Sequence, residues 1–166
     1  MSEPLQQSTE LPGLSLRAGA GDGTVEEQRA RVLDQARGWL GTPYHHRGRV
    51  KGAGVDCLML LAEVYEAAGI IEHVEPAPYP RDWMLHRTDE LYLGGLEQYA
   101  HEVDAPGPGD VALFRFGLCY SHAAIVVDWP QVIHAFAKER GVVLGDATIG
   151  ALAVRDRKVR FFSVWG

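Results

Sequence analysis

Residues 122–136 read His122-Ala123-Ala124-Ile125-Val126-Val127-Asp128-Trp129-Pro130-Gln131-Val132-Ile133-His134-Ala135-Phe136, two apolar runs joined at Trp129-Pro130. Runs of this length, rich in Val and Ile and broken by a turn signal, are the pattern of neighbouring strands in an antiparallel sheet. Working outward, the predicted strands are Val111 to Phe116, His122 to Asp128, Val132 to Phe136, Val142 to Leu144 and Val159 to Trp165. The pattern stops on the N-terminal side at Pro106-Gly107-Pro108-Gly109, which interrupts helices and strands alike. Before that break the apolar spacing is helical. Helices first and strands second predict an α+β fold, with N-terminal helices packed on one face of a C-terminal antiparallel β-sheet.

The helical part has its own punctuation. Thr24-Val25-Glu26-Glu27 has the form of a capping box, with Thr24 as N-cap and Glu27 reaching back. Val25, Val32, Leu33, Ala36, Trp39 and Leu40 form the stripe of a first helix, and Gly41 marks its stop. A loop through Gly48, Gly52 and Gly54 leads to a second helix that starts at Asp56-Cys57 and runs to Gly69. Few of its positions are polar, so it is predicted to be mostly buried. Residues 72–87 are rich in Pro, His and aromatic side chains and read as an irregular crossing, and Thr88 to His101 as a helical segment weakened by Gly94-Gly95.

Composition narrows the function classes. The chain has 166 residues, is 46% hydrophobic and carries a net charge of −6, which suits one soluble domain and lacks the basic excess of a nucleic-acid binder. No stretch approaches the roughly 20 apolar residues of a membrane span. Residues 1–23 show neither a basic leader nor an apolar signal core. They read as a flexible N-terminal arm, with an apolar patch at Leu11, Leu14 and Leu16 available to a partner, ahead of a domain over residues 24–166. Two cysteines, Cys57 and Cys119, do not make a disulfide framework, so synthesis in a reducing cytoplasm without a signal peptide is expected.

Cys57 stands where chemistry is favoured. A helix start presents unsatisfied N–H groups and about half a positive charge, which favours thiolate and offers an oxyanion site. The plain alternative is a small apolar filler. A nucleophilic cysteine needs a base and an orienting partner, and antiparallel pairing of the two quoted runs brings His122 and His134 onto one face. The competing chemistry is zinc on Cys57, Cys119, His122 and His134, a set without a paired Cys-x-x-Cys knuckle. His45-His46, as loop neighbours, point apart and suit a substrate rim better than a metal. Tyr44 packs or lines a site, and Asp56 caps the helix or meets a substrate amine. Spacing alone leaves these open.

Gly41-Thr42-Pro43-Tyr44, Val55-Asp56-Cys57, Pro108-Gly109-Asp110-Val111, Ser121-His122-Ala123-Ala124-Ile125 and Ile133-His134-Ala135 occur in the order seen in NlpC-family cell-wall cysteine peptidases. The resemblance covers residues 27–165. It looks closest to the branch of bacteriophage tails and gene transfer agents, through Pro80-Arg81-Asp82-Trp83 and Trp129-Pro130. It implies a papain-like fold and hydrolysis of the amide between γ-D-glutamyl and diaminopimelate, or a related amide, in peptidoglycan stem peptides, with no cofactor. By the same resemblance Cys57 matches the nucleophile, His122 the general base and His134 the orienting third residue. Tyr44 matches a site-lining tyrosine and Asp56 the acidic residue that helps hold the substrate's amino end. It further implies a virion or particle tail acting in the cell wall, with tail-tip or baseplate partners reached through the arm. A tail-tip structural protein with an idle Cys-His-His site is the alternative. One departure stands out: many relatives read Asp-Cys-Ser-Gly, and this chain has Asp56-Cys57-Leu58-Met59.

Overall fold

The computed structural model describes residues 21–86, 90–154 and 156–166. Helix α1 (Val25–Gly38) begins with the expected capping box: Thr24 accepts from the Glu27 amide, and the Glu27 carboxylate accepts from the Thr24 amide at 2.8 Å. Val32, Ala36 and Trp39 are buried, whereas Val25 and Leu40 lie exposed because they fall at and beyond the two ends of the helix. Gly41 then turns the chain in the left-handed region (φ 85°), a conformation that a side chain disfavours. Most of the expected arm lies outside the described residues. Its last three residues are held down, Gln28 donating to the carbonyls of Gly21 and Gly23 and Arg31 to that of Asp22.

A small hairpin, β1 (Arg49–Val50) with β2 (Gly54–Val55), precedes helix α2 (Cys57–Ala67). As expected, α2 is mostly buried: Met59, Leu60, Leu61, Ala62, Val64 and Tyr65 are all inside. Each such large apolar side chain contributes about 1.5–3 kcal/mol by leaving water. Helix α3 (Trp83–His86) is one turn inside the segment expected to be irregular, and α4 (Leu91–Leu96) replaces the longer helix expected over Thr88 to His101. Gly94-Gly95 lie in its last turn, where low helix propensity limits it. Thr88 and Asp89 lie outside the described residues, and His101 belongs to a strand that sequence reading missed, β3 (His101–Val103).

The remaining strands are β4 (Val111–Phe116), β5 (Cys119–Asp128), β6 (Gln131–Phe136), β7 (Gly141–Asp146) and β8 (Val159–Ser163). With β3 they form one antiparallel sheet in the order β3-β8-β4-β5-β6-β7. Its two faces serve two cores. Leu113, Ala123, Ile125 and Ile133 pack with α1 and α2, whereas Ala112, Phe114, Ala124, Val126 and Val132 pack beneath Leu152 and Phe161. That double burial explains why Ala123 to Val127 is a continuous apolar run, not an alternating one. The turn before β4 ties the layers together. Asp110, buried, accepts from Gly107 N–H and from Arg29 of α1, and the Tyr65 hydroxyl of α2 donates to the Gly109 carbonyl. The architecture is the expected α+β, helices against an antiparallel sheet.

Candidate active site

Asp56 starts α2 as its N-cap, accepting from the Met59 amide at 2.9 Å, and so fixes Cys57 in the first turn. The Cys57 thiol points at β5, its nearest acceptor being the Ser121 carbonyl at 3.9 Å. Burial and the adjacent Asp56 push that thiol up to about 12, against backbone hydrogen bonding at Ala123, Cys57 and Leu58, which favours the thiolate. The sulfur therefore sits against the residues on either side of His122. Cys57 and His122 line one cleft of about 890 Å³.

His122 and His134 meet as the strand pairing predicts, His122 Nε2 lying 2.8 Å from His134 Nδ1. Both imidazoles are buried, within an aromatic cluster of Phe114, Phe116 and Phe136. Burial pulls His134 down to about 4. Burial, His134 and the Arg157 guanidinium hold His122 well below the usual imidazole range. Arg157 itself lies 3.6 Å over the Phe116 ring. At neutral pH the pair is thus uncharged, and one ring donates to the other. With His122 Nε2 engaged, Nδ1 is the only nitrogen of that ring left to accept a proton, which requires Nε2–H to donate to His134 Nδ1. On the far side of His134, Gly145 of β7 leaves just enough room: a Cβ there would lie 2.8 Å from His134 Nε2.

The other expected residues fall around this centre. Tyr44 is half-buried in the cleft wall, and burial, Cys57 and Asp56 raise its phenol above the usual range. His45 and His46 point apart: His45 Nδ1 bonds the His46 carbonyl, while His46 Nε2 bonds the Tyr79 carbonyl at 2.9 Å and lines the cleft. Cys119 is buried in the helix-side core. Among the described residues no three His, Cys, Asp or Glu side chains gather as a metal set, so Cys57, Cys119, His122 and His134 do not converge. Leu58 lines the cleft beside Cys57, and Met59 faces the core. Where Ser-Gly stands in many relatives, this chain has an apolar wall and a core anchor.

Two tyrosines escaped the sequence reading. Tyr79 donates its hydroxyl to Asp56 Oδ2 at 2.6 Å, and Tyr92 reaches the Cys57 carbonyl at 3.4 Å. Both line the cleft. The signal that could have found Tyr79 is Pro76-Ala77-Pro78-Tyr79-Pro80, in which alternating prolines stiffen the chain around one aromatic residue.

The sequence profile of the NlpC/P60 family matches residues 41–155, more than half of the chain. The chain belongs to the NlpC/P60 family. Its fold is similar to that of NlpC1 from Trichomonas vaginalis, at 19% identity and a TM-score of 0.58, over 85% of this chain and 44% of that one. It is also similar to the peptidoglycan hydrolase RipB from Mycobacterium tuberculosis (15% identity, TM-score 0.56, 85% of this chain and 66% of that one). The NlpC/p60 domain of the peptidoglycan hydrolase SagA gives 18% identity and a TM-score of 0.54, over 80% of this chain and 96% of that one. These likenesses support the papain-like NlpC/P60 fold, and this chain spans under half the length of the Trichomonas protein. None of the curated proteins matches the chain.

Proposed function

We propose that this NlpC/P60 chain is a cysteine peptidase that hydrolyses the γ-D-glutamyl–diaminopimelate amide, or a related one, of peptidoglycan stem peptides. The observation that carries the reading is one cleft lined by Cys57, at the amide-rich start of α2, and by His122, whose ring is paired with His134. Two structures of similar fold are peptidoglycan hydrolases by name, which supports the substrate class.

The chemistry follows from the neutral resting groups. A substrate carbonyl seated over Cys57 is attacked by sulfur as the thiol proton passes to His122 Nδ1. The Cys57 amide donates to the oxyanion. His134 holds the His122 ring and accepts from its Nε2–H, so the imidazolium forms in the right orientation. His122 then returns its proton to the leaving amine, the C–N bond breaks, and an acyl-thioester remains on Cys57. Water, deprotonated by His122, releases the acyl group and restores the thiol. Tyr44 and Asp56 stand on the substrate side of the nucleophile. The resemblance at Pro80-Arg81-Asp82-Trp83 and Trp129-Pro130 supports a place on a phage-type tail during genome entry, with the arm as its attachment to tail-tip or baseplate proteins.

The test is digestion of purified peptidoglycan by the wild type and by Cys57→Ala, with fragments identified by mass spectrometry. Stem peptides cleaved by the wild type alone are the expected result. Intact sacculi with both proteins sink the reading.

A further inference from the structure

The Asp56 carboxylate lines the cleft beside Cys57, yet it is only 2% exposed. Its Oδ1 accepts from the Met59 amide at 2.9 Å. Its Oδ2 accepts from the Arg47 amide at 2.7 Å and from the Tyr79 hydroxyl at 2.6 Å. A carboxylate offers about four lone-pair positions, so three of them are taken from within the chain. Hydrogen bonds to an ionised acceptor are the strong kind, and burial with both charges and donors satisfied resists exchange for solvent. Burial and Asp56 push the Tyr79 phenol far above its usual range, so it stays a donor.

Tyr79 is also held by its backbone. The segment carrying it is fastened at its start, where Arg49 donates to the Val74 carbonyl at 3.0 Å, and ends at buried Trp83. In between, His46 Nε2 bonds the Tyr79 carbonyl, and the His46 ring meets the Tyr79 ring edge-on. Pro76, Pro78 and Pro80 restrict the chain on both sides, which lowers the entropy cost of holding the phenol in place. The cleft has two other carboxylates among its described lining residues, and each is engaged. Glu75 pairs with His73 and Arg49, and Glu90 accepts from the Tyr120 amide. The apolar lining of the cleft includes Pro76, Pro78, Leu58, Leu61 and Ile71. Such a lining suits a neutral acyl group better than an ammonium.

We propose that Tyr79 is a specificity-determining residue: seated on Asp56, its phenol closes the carboxylate to a substrate ammonium, so the cleft takes peptides with an acylated amino end over those with a free one. In peptidoglycan terms these are stem peptides still attached to glycan, and the inference rests on the stem-peptide reading for that substrate class. The probes are one stem peptide prepared with its amino end free and N-acetylated. The readouts are kcat/KM for wild type and Tyr79→Phe, and calorimetric affinities in a Cys57→Ala background.

The expected result is a wild-type preference for the acetylated peptide that falls about 10-fold in Tyr79→Phe, because one charge-assisted acceptor is freed for the ammonium. Tyr79→Leu, which removes the ring as well, moves the ratio further the same way. A wild type that prefers the free amine, or a ratio unmoved in a folded Tyr79→Phe, overturns the proposal. Binding that shows the shift without any hydrolysis sinks the peptidase reading and leaves the Tyr79 assignment standing. Absence of binding by either peptide overturns it.

Discussion

Cys57 and His122 stand on an 11-residue helix and a 10-residue strand, both packed into the main core. Tyr79 and Tyr92 line the same cleft, but among the described residues their segment, from Ile70 to Ala100, has nothing longer than the six-residue α4. The first region is fixed by ladders and burial, and distortion there costs several buried contacts at once. The second also sends Trp83, Tyr92 and Leu93 into that core, but around Tyr79 it is fixed by a few side-chain anchors: Arg49, His46 and Asp56. Chemistry belongs on the rigid floor and selection on the adjustable wall. That contrast is what substitutions should break or sharpen.

The largest effect belongs to the floor. His122→Ala removes the imidazole that lines the cleft with Cys57 and is expected to lower kcat on the order of 10³-fold. Tyr92→Phe, on the wall, loses only a 3.4 Å bond to a helix carbonyl and should leave kcat within a few-fold. Turnover measured on one soluble stem peptide checks both. Comparable losses in the two variants would erase the floor–wall distinction.

Next comes the cost of burying two neutral imidazoles. An unfolded histidine titrates near 6.5, and His134 in the fold near 4. Stability is full above 6.5 and declines as pH falls from there towards 4, because the unfolded chain takes up a proton first. For His134 alone the loss reaches about 3 kcal/mol, and His122, shifted the same way, adds to it. Urea midpoints from pH 7 to 4.5 measure the slope, which should flatten in His134→Asn. An unchanged slope would mean that the ring is not sheltered as described.

The floor was legible in the sequence because its signals are local. The Thr24 and Asp56 caps, the apolar run of α2 and the apolar strand runs each need only a few neighbours, and they anticipated Cys57 at the start of α2 and the meeting of His122 with His134. The wall was not, since its geometry depends on contacts distant in sequence. His46 bonds Tyr79 across 33 positions and Arg49 bonds Val74 across 25, and no periodicity announces either. Short β3 was missed for the same reason: three residues, largely exposed, find their partner only in β8. The Asp56 carboxylate was legible as a cap but not as the acceptor of Tyr79.

Gly145 sharpens the contrast at an intermediate scale. Its backbone is ordinary strand, paired with Val132, so an alanine costs nothing in local conformation. Its Cβ, however, would lie 2.8 Å from His134 Nε2, too close to be tolerated without a shift of the ring. A displacement of a few tenths of an ångström passes directly to the 2.8 Å bond that holds His122. Gly145→Ala should therefore lower kcat about 10-fold with KM little changed. A fall in KM affinity at constant kcat would place the effect on substrate binding instead.

The smallest expected effect tests the wall at its anchor. Arg49 Nε lies 2.6 Å from Glu63 Oε1 and its Nη1 3.0 Å from the Val74 carbonyl, while its buried Nη2 faces Glu66 Oε2 at 3.8 Å, beyond hydrogen-bond reach. That loosely paired N–H subtracts from what the cluster contributes, so the anchor is worth less than its number of contacts suggests. Arg49→Met keeps the apolar stem and removes the fork. It should loosen the Pro76–Pro80 segment without touching Cys57, His122 or His134. KM is expected to rise about 3-fold with kcat held, and proteolytic nicking near Val74 to quicken by a similar factor. A matching loss of kcat would show that the wall helps set the nucleophile, and the division between a rigid floor and an adjustable wall would have to be redrawn at Asp56, whose carboxylate accepts from both.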